Sequence, residues 1–183
     1  ANDRYEQFQT SIKRHAFKMH YRIAVDKKTG LFQSFQGDFE ANGGGRCNFS
    51  PSVAMVGATA AQSIYYFPKN DLATVAIASR AIDAGSARGY GTLQSMAATE
   101  MAVDEIAAQL NLDPIEFRLR NIAKPGTPTV FGTKLNHHGF AETLQALAKH
   151  PAYTAPLGKN QGRGVAVGYW FNAGGESSAT VHV

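Results

Sequence analysis

Arg88-Gly89-Tyr90-Gly91-Thr92-Leu93-Gln94-Ser95-Met96 leads into a long periodic run, and Leu112-Asp113-Pro114-Ile115-Glu116-Phe117-Arg118-Leu119-Arg120-Asn121 follows that run. Gly89 and Gly91 permit positive φ and a close approach to the main chain. A helix opening near Thr92 presents unpaired N–H groups and a positive dipole end, so a bulky anionic cofactor could dock there. Read alone, a Gly-x-Gly step before a helix is equally a tight, closely packed turn. Residues 92–111 place Leu93, Met96, Ala97, Met101, Val103, Ile106, Ala107 and Leu110 at the spacing of an amphipathic helix. That Met and Leu stripe reads as a core face, with Asp104, Glu105 and Gln109 left to solvent. Asp113 then offers an N-cap, Pro114 the first helical position and Glu116 the reciprocal residue of a capping box, so a second helix runs to Asn121.

Working upstream, Met19, Tyr21, Ile23 and Val25 alternate with Lys18, His20, Arg22 and Ala24, the period of a strand with one wet face. Asp26 to Gly30 form a turn signal, after which Leu31, Gln33, Phe35, Gly37 and Phe39 alternate again, and the two runs predict a hairpin. Asn42-Gly43-Gly44-Gly45 breaks the pattern. Residues 51–62 are small and open on Pro51, which suits the first turn of a helix. Tyr65, Tyr66 and Phe67 before Pro68 suggest an extended crossing, and residues 73–79 a third strand. Downstream, residues 140–150 read as a third helix, while residues 124–128 and 152–163 read as loops. Two strand-like runs, 164–171 and 177–183, close the chain. The fold class expected is α+β, mixed sheets packed by helices.

Composition narrows the chemistry. The 183 residues are 44% hydrophobic and 17% charged, the balance of an ordinary globular protein, with a net charge of +4. Arg4, Lys13, Arg14, His15, Lys18, Arg22, Lys27 and Lys28 concentrate positive charge near the start. A nucleic-acid surface is one reading of that cluster; a solvated strand face with a basic turn is the plainer one, and no nucleic-acid partner is expected. Cys47 is the only cysteine, so this chain can hold neither an intrachain disulfide nor a cysteine-ligated iron–sulfur cluster. His137 and His138 are adjacent and the other histidines scattered, without the spacing that turns two imidazoles toward one ion; no protein-ligated metal is expected. No apolar run reaches membrane-spanning length and no signal-peptide pattern opens the chain, so the expected compartment is the cytoplasm, with the periplasm as the alternative.

The Gly-rich bend at 42–45, Pro51, Pro68, the Arg-Gly-aromatic-Gly loop, the following Asp-Pro helix and Lys124-Pro125-Gly126 recur in this order in the molybdenum hydroxylases, the xanthine dehydrogenase and aldehyde oxidoreductase family, which the chain resembles over most of its length. The resemblance implies a fragment of a molybdopterin-binding large subunit: residues 1–150 would be the C-terminal part of the first molybdopterin-binding domain, and residues 151–183 a linker and the start of the second. It implies a molybdenum–molybdopterin cofactor whose metal is held by the pterin dithiolene. The activity implied is hydroxylation of aldehydes or N-heterocycles with oxygen drawn from water, assisted by a glutamate base. Arg88, Gly89, Gly91 and Gln94 match the cofactor-binding positions, Arg88 through its main-chain N–H. Tyr90 matches the aromatic that packs on a planar substrate. Where purine-oxidising members carry a substrate-facing arginine, this chain has Val56, with Pro68 fixing the register, which favours aldehydes or pyridine-like rings over xanthine.

The family's other Gly-rich segments and its catalytic glutamate loop have no counterpart in these residues. No catalytic residue is therefore assigned, and the chain alone is expected to be inactive. Glu100 is expected to be a buried, paired structural carboxylate. The implied partners are the remainder of the large subunit, an iron–sulfur subunit or domain, and a flavin or cytochrome subunit, with 2Fe-2S clusters and FAD carried on those partners or segments. A rival reading is a non-catalytic interaction module that docks through the basic hairpin.

Overall fold

The structure, a computed structural model, describes residues 3, 5–6, 11–46, 48–130, 132–170 and 178–181. Alternation in the first run produces strand β1 (Ala16–Val25), whose odd-numbered members from Phe17 to Val25 turn toward the core. Asp26 caps the turn. Its carboxylate accepts the N–H groups of Lys28 and Thr29 at 2.8 and 2.9 Å, while Gly30 supplies the positive φ. Those two backbone hydrogen bonds, from Thr29 first and Lys28 second, hold the Asp26 carboxyl below its usual range. Strand β2 (Phe32–Asn42) returns antiparallel, with Met19 opposite Phe39 and Ile23 opposite Phe35.

The phase of β2 differs from the expected alternation at its start. Between the Ala24–Ser34 and Val25–Phe32 pairs the register slips by one residue, so Gln33 is extra on β2. Phe32 is thereby turned into the core and Leu31 left exposed. The chain next forms helix α1 (Ser50–Ala60) and crosses to β3 (Lys69–Ile77), which pairs parallel to β2. A parallel neighbour requires such a crossover. The sheet has the order β1-β2-β3 and is mixed, as the α+β expectation requires. β3 begins four residues earlier than the alternation indicated, because Lys69, Asn70 and Asp71 lie on an exposed sheet edge where no apolar period is needed.

Helices α2 (Thr92–Gln109), α3 (Pro114–Asn121), α4 (Phe140–Lys149) and the single-turn α5 (Pro151–Thr154) complete the chain. α5 occupies the start of a segment read as loop, with Pro151 in its first turn and His150 Nδ1 accepting the Ala152 N–H. α2 buries only part of its apolar stripe: Met96, Val103 and Ala107 are buried and Ile106 and Leu110 pack against the core, whereas Leu93, Ala97 and Met101 are exposed and the polar Ser95, Thr99 and Glu100 share the buried face. On α3, Asp113 caps as expected, its Oδ1 accepting from Ile115 and Glu116 N–H at 2.9 and 3.0 Å. Glu116 does not complete the capping box; it pairs with Arg120 one turn on. The strand-like runs near the end are not strands: residues 164–170 and 178–181 have no ladder partner, and alternation without a partner strand does not make a sheet. The remaining residues of those runs, and Cys47, lie outside the described residues. No helix among the described residues is long and apolar enough to cross a membrane.

Candidate cofactor-facing loop

The main chain at 89–91 adopts three consecutive left-handed residues: Gly89 at φ 96°, Tyr90 at φ 48° and Gly91 at φ 94°. Tyrosine rarely occupies this region, so the loop fixes Tyr90 there through its neighbours. Tyr90 N–H closes onto Ala87 O at 2.8 Å and Thr92 N–H onto Gly89 O at 2.8 Å, with the Thr92 hydroxyl on the same carbonyl at 2.6 Å. Gly91 has no room for a side chain. A Cβ there would lie 2.5 Å from Val53 O and 3.1 Å from the Gly57 backbone. Gly57 is crowded in turn by the Phe17 ring, so two glycines allow the loop and α1 to meet main chain to main chain.

This closure sets what the loop presents. The inner wall takes up carbonyls, while no acceptor among the described residues takes the N–H of Arg88, Gly89 or Gly91. Gly91 is the N-cap of α2 and contributes no side-chain cap, so the positive end of α2 is added to those donors. The Arg88 side chain is exposed and Tyr90 half-buried. Val56, half-buried, precedes Gly57 on the same helix, and its carbonyl accepts from the Thr59 hydroxyl at 3.2 Å. Val56 therefore sits on the element against which the loop closes.

Gln94 lies one turn into α2 with its two amide ends in different states. Its Nε2 donates to His15 O at 2.9 Å, whereas the buried Oε1 has no partner among the described residues. His15 is buried, its Nε2 lies 2.8 Å from Ser50 Oγ, and its Nδ1 is likewise unpaired. Burial lowers the pKa of this imidazole. The structure thus brings together Arg88, Gly89, Tyr90, Gly91 and Gln94, and adds Gly57 and His15, which the sequence reading passed over. A glycine in the middle of α1 was the available signal for Gly57, since such a residue marks close backbone approach. An anionic cofactor fits the donor set: the main-chain N–H groups of Arg88, Gly89 and Gly91 find no acceptor among the described residues, and Gln94 Oε1 is a buried acceptor without a donor there.

Further along α2 is the polar centre that positions the loop. Glu100 Oε1 accepts the Tyr65 hydroxyl at 2.8 Å, and Oε2 accepts Arg118 Nε and Nη2 at 3.1 and 2.9 Å and the Val167 N–H at 2.9 Å. Arg118 is fully buried and also reaches Val165 O at 2.7 Å, Pro114 O at 3.1 Å and the Asp104 carboxylate at 2.7 Å. Burial alone would weaken the Arg118 charge; the Glu100 and Asp104 carboxylates that it pairs with outweigh it and hold the guanidinium above its ordinary value. Burial, reinforced by the Glu100 charge, pushes the Tyr65 hydroxyl far up, so it remains a donor. Glu100 is the buried, paired carboxylate that its place on the helix suggested.

The basic hairpin does not present a single-sign face. Lys18 stands opposite Glu40 and His20 opposite Asp38, and Arg22 donates to Gln36 at 3.2 Å. Opposite charges across the strands leave the docking reading little to act through.

The molybdopterin cofactor-binding domain family model matches residues 1–122. Aldehyde oxidoreductase of Megalodesulfovibrio gigas is 28% identical over 156 residues, 85% of this chain and 17% of that protein. The xanthine dehydrogenase molybdenum-binding subunit of Escherichia coli O157:H7 is 28% identical over 143 residues, 78% of this chain and 19% of that protein. Among solved structures, aldehyde oxidoreductase from Desulfovibrio gigas superposes with a TM-score of 0.75 at 26% identity, covering 84% of this chain and 17% of that one. This chain spans less than a fifth of the length of these relatives.

Proposed function

Because the chain belongs to the molybdopterin cofactor-binding domain family, we propose that it supplies the loop wall of the cofactor site in the large subunit of a molybdenum hydroxylase. Residues 1–150 are read as the C-terminal part of a first cofactor-binding domain and residues 151–183 as a linker and the opening of a second. The observation that carries this reading is the loop at 89–91: three left-handed residues sealed on α1 through Gly57, with the N–H groups of Arg88, Gly89 and Gly91 taken up by no acceptor among the described residues. When bound, the molybdopterin supplies a redox metal able to accept electrons from a carbon centre.

The chain's own residues bind and orient. The main-chain N–H of Arg88, with those of Gly89 and Gly91, faces an anionic oxygen, and the α2 terminus reinforces them. Gln94 Oε1 accepts from the cofactor while its Nε2 stays on His15. Tyr90 lays a flat ring against a planar substrate. Val56 offers neither cation nor donor, so a purine's oxygens go unrewarded and an aldehyde or pyridine-like ring is preferred. The remainder of the large subunit, an iron–sulfur partner and a flavin or cytochrome partner complete the electron path.

The test is steady-state turnover of the assembled enzyme on xanthine, nicotinate and benzaldehyde with an artificial electron acceptor, alongside metal analysis. Benzaldehyde or nicotinate should be the better substrate, and the 183-residue chain alone should retain no molybdenum and show no turnover. Xanthine as the best substrate by about tenfold or more would remove the weight placed on Val56. Stoichiometric molybdenum in the isolated chain would show that one wall of the site is enough to hold the cofactor.

A further inference from the structure

The segment leading into β1 is fastened on both sides of the candidate loop. Ahead of the loop, Lys13 bridges the parallel Ala84 and its carbonyl accepts the Gly85 N–H at 3.0 Å; beyond it, His15 O accepts Gln94 Nε2 at 2.9 Å. Arg14 lies between these anchors, so its main chain is fixed relative to the loop.

Its side chain is free. Arg14 is exposed, and no described residue pairs with its guanidinium. Nη1 stands 3.4 Å from the point that a Cβ on Gly89 would occupy, so it lies against the loop main chain, and Gly89 leaves room for it. The adjoining Arg88 side chain is likewise exposed and unpaired among the described residues, and no acceptor there takes the Gly89 N–H. The ion pairs of the described residues belong to Arg46, Arg118 and Arg120 instead. Two uncompensated guanidinium groups at one glycine stabilise nothing within the chain and suit an oxyanion from outside it.

We propose that Arg14 is an oxyanion-binding residue of the loop, holding with Arg88 an anionic group that docks against Gly89. The proposal rests on the cofactor reading, and two sources carry the chemistry: an anionic group of the bound cofactor and a carboxylate of the substrate. In both cases the planar Arg14 fork donates its N–H groups to the anion.

Arg14→Gln and Arg14→Lys in the assembled enzyme separate the sources. A cofactor anion predicts that Arg14→Gln loses molybdenum on dialysis at raised salt about tenfold faster than the parent, with the KM of nicotinate and of benzaldehyde unmoved. A substrate anion predicts parental molybdenum retention and a KM for anionic nicotinate raised about tenfold, with that for neutral benzaldehyde unmoved. Arg14→Lys, which keeps the charge but not the fork, should fall between the parent and Arg14→Gln. Because Arg14 bonds nothing among the described residues, the melting temperature of each cofactor-free variant should equal the parent's. The proposal is overturned if Arg14→Gln keeps both its molybdenum and its KM for nicotinate, if the KM of benzaldehyde rises as much as that of nicotinate, or if the loss of molybdenum is matched by a fall in the melting temperature of the cofactor-free enzyme. The parent's own molybdenum content reports on the cofactor reading by itself, so the two fail separately.

Discussion

Beneath the sheet, Phe32, Phe35, Phe67 and Phe117 pack ring against ring and Phe39 joins them through Tyr21, with Phe32 stacked on Phe67 at 4.5 Å and edge-on to Phe117 at 5.3 Å. Along the buried side of α2 the interior also takes in polar groups: Ser95 and Thr99 bond main-chain carbonyls, and Glu100 pairs with Arg118 of α3 beside residues 165–167. The first region is stabilised by area, a non-directional quantity in which neighbours share the load. The second is held by directed bonds, each satisfying a group that would otherwise be a liability. α2 opens at the candidate loop, so the loop is attached to the region that tolerates displacement least. Directed bonds hold atoms to tenths of an ångström, which suits a wall whose function is to aim donors.

That contrast predicts an ordered set of mutational effects, each measurable as a shift in denaturant midpoint. Glu100→Gln, nearly isosteric, should cost the most, about 3–5 kcal/mol, because it takes away the buried partner of Arg118 and leaves only the half-exposed Asp104 carboxylate as counter-charge. A loss below about 1 kcal/mol would mean that the polar centre is as forgiving as the aromatic one. Gly91→Ala should cost about 2–3 kcal/mol, since the new Cβ meets the Val53 carbonyl at 2.5 Å at a φ that alanine resists. Phe35→Leu should cost only about 1–2 kcal/mol, the loss of aromatic contacts with Tyr21 and Phe67 in a region able to repack.

Asp113→Ala, at the edge of the polar region, should cost about 1 kcal/mol as a lost N-cap. This last effect carries a pH signature. Burial raises the Asp113 carboxyl, but the Tyr153 hydroxyl at 2.5 Å, the N–H groups of Glu116 and Ile115, and the Arg118 charge outweigh it, so the folded pKa lies below the ordinary value. A depressed carboxylate stabilises fully above its unfolded pKa, and the contribution fades as the pH falls through that value toward the folded one. Parent and variant should therefore converge below about pH 4 and separate above it. A difference that stays constant with pH would point to packing alone.

The sequence carried most of the secondary structure because the signals were local. The Asp26 turn, the Asp113-Pro114 cap and the β1 alternation each place the needed chemistry within a few residues. Where the reading failed, the deciding neighbour was distant in sequence. The slip that turns Phe32 inward is set by pairing with β1, and the burial of Thr99 beside the apolar stripe of α2 by the distant Ala61 carbonyl, a partner no helical wheel contains. The runs near the end alternated correctly and still formed no strand, since alternation describes faces and not partners. For the candidate loop, the Gly-x-Gly spacing marked the backbone device, but His15 and Gly57 became visible only once β1 and α1 were folded against it.

Asn121 closes the hairpin from a long way off. Its Oδ1 accepts the Phe32 N–H at 2.8 Å across 89 residues, and its Nδ2 donates to Gly30 O at 2.9 Å across 91. During synthesis, then, the first hairpin emerges from the ribosome long before the residue that locks its turn. Until α3 has been made, Phe32 keeps an unsatisfied amide and the aromatic cluster lacks Phe117 as a lid. The nascent chain passes through an interval in which the strand that is most buried in the folded protein lacks part of its cover, and a pause in translation before residue 121 would prolong the stage at which this protein is most exposed to aggregation.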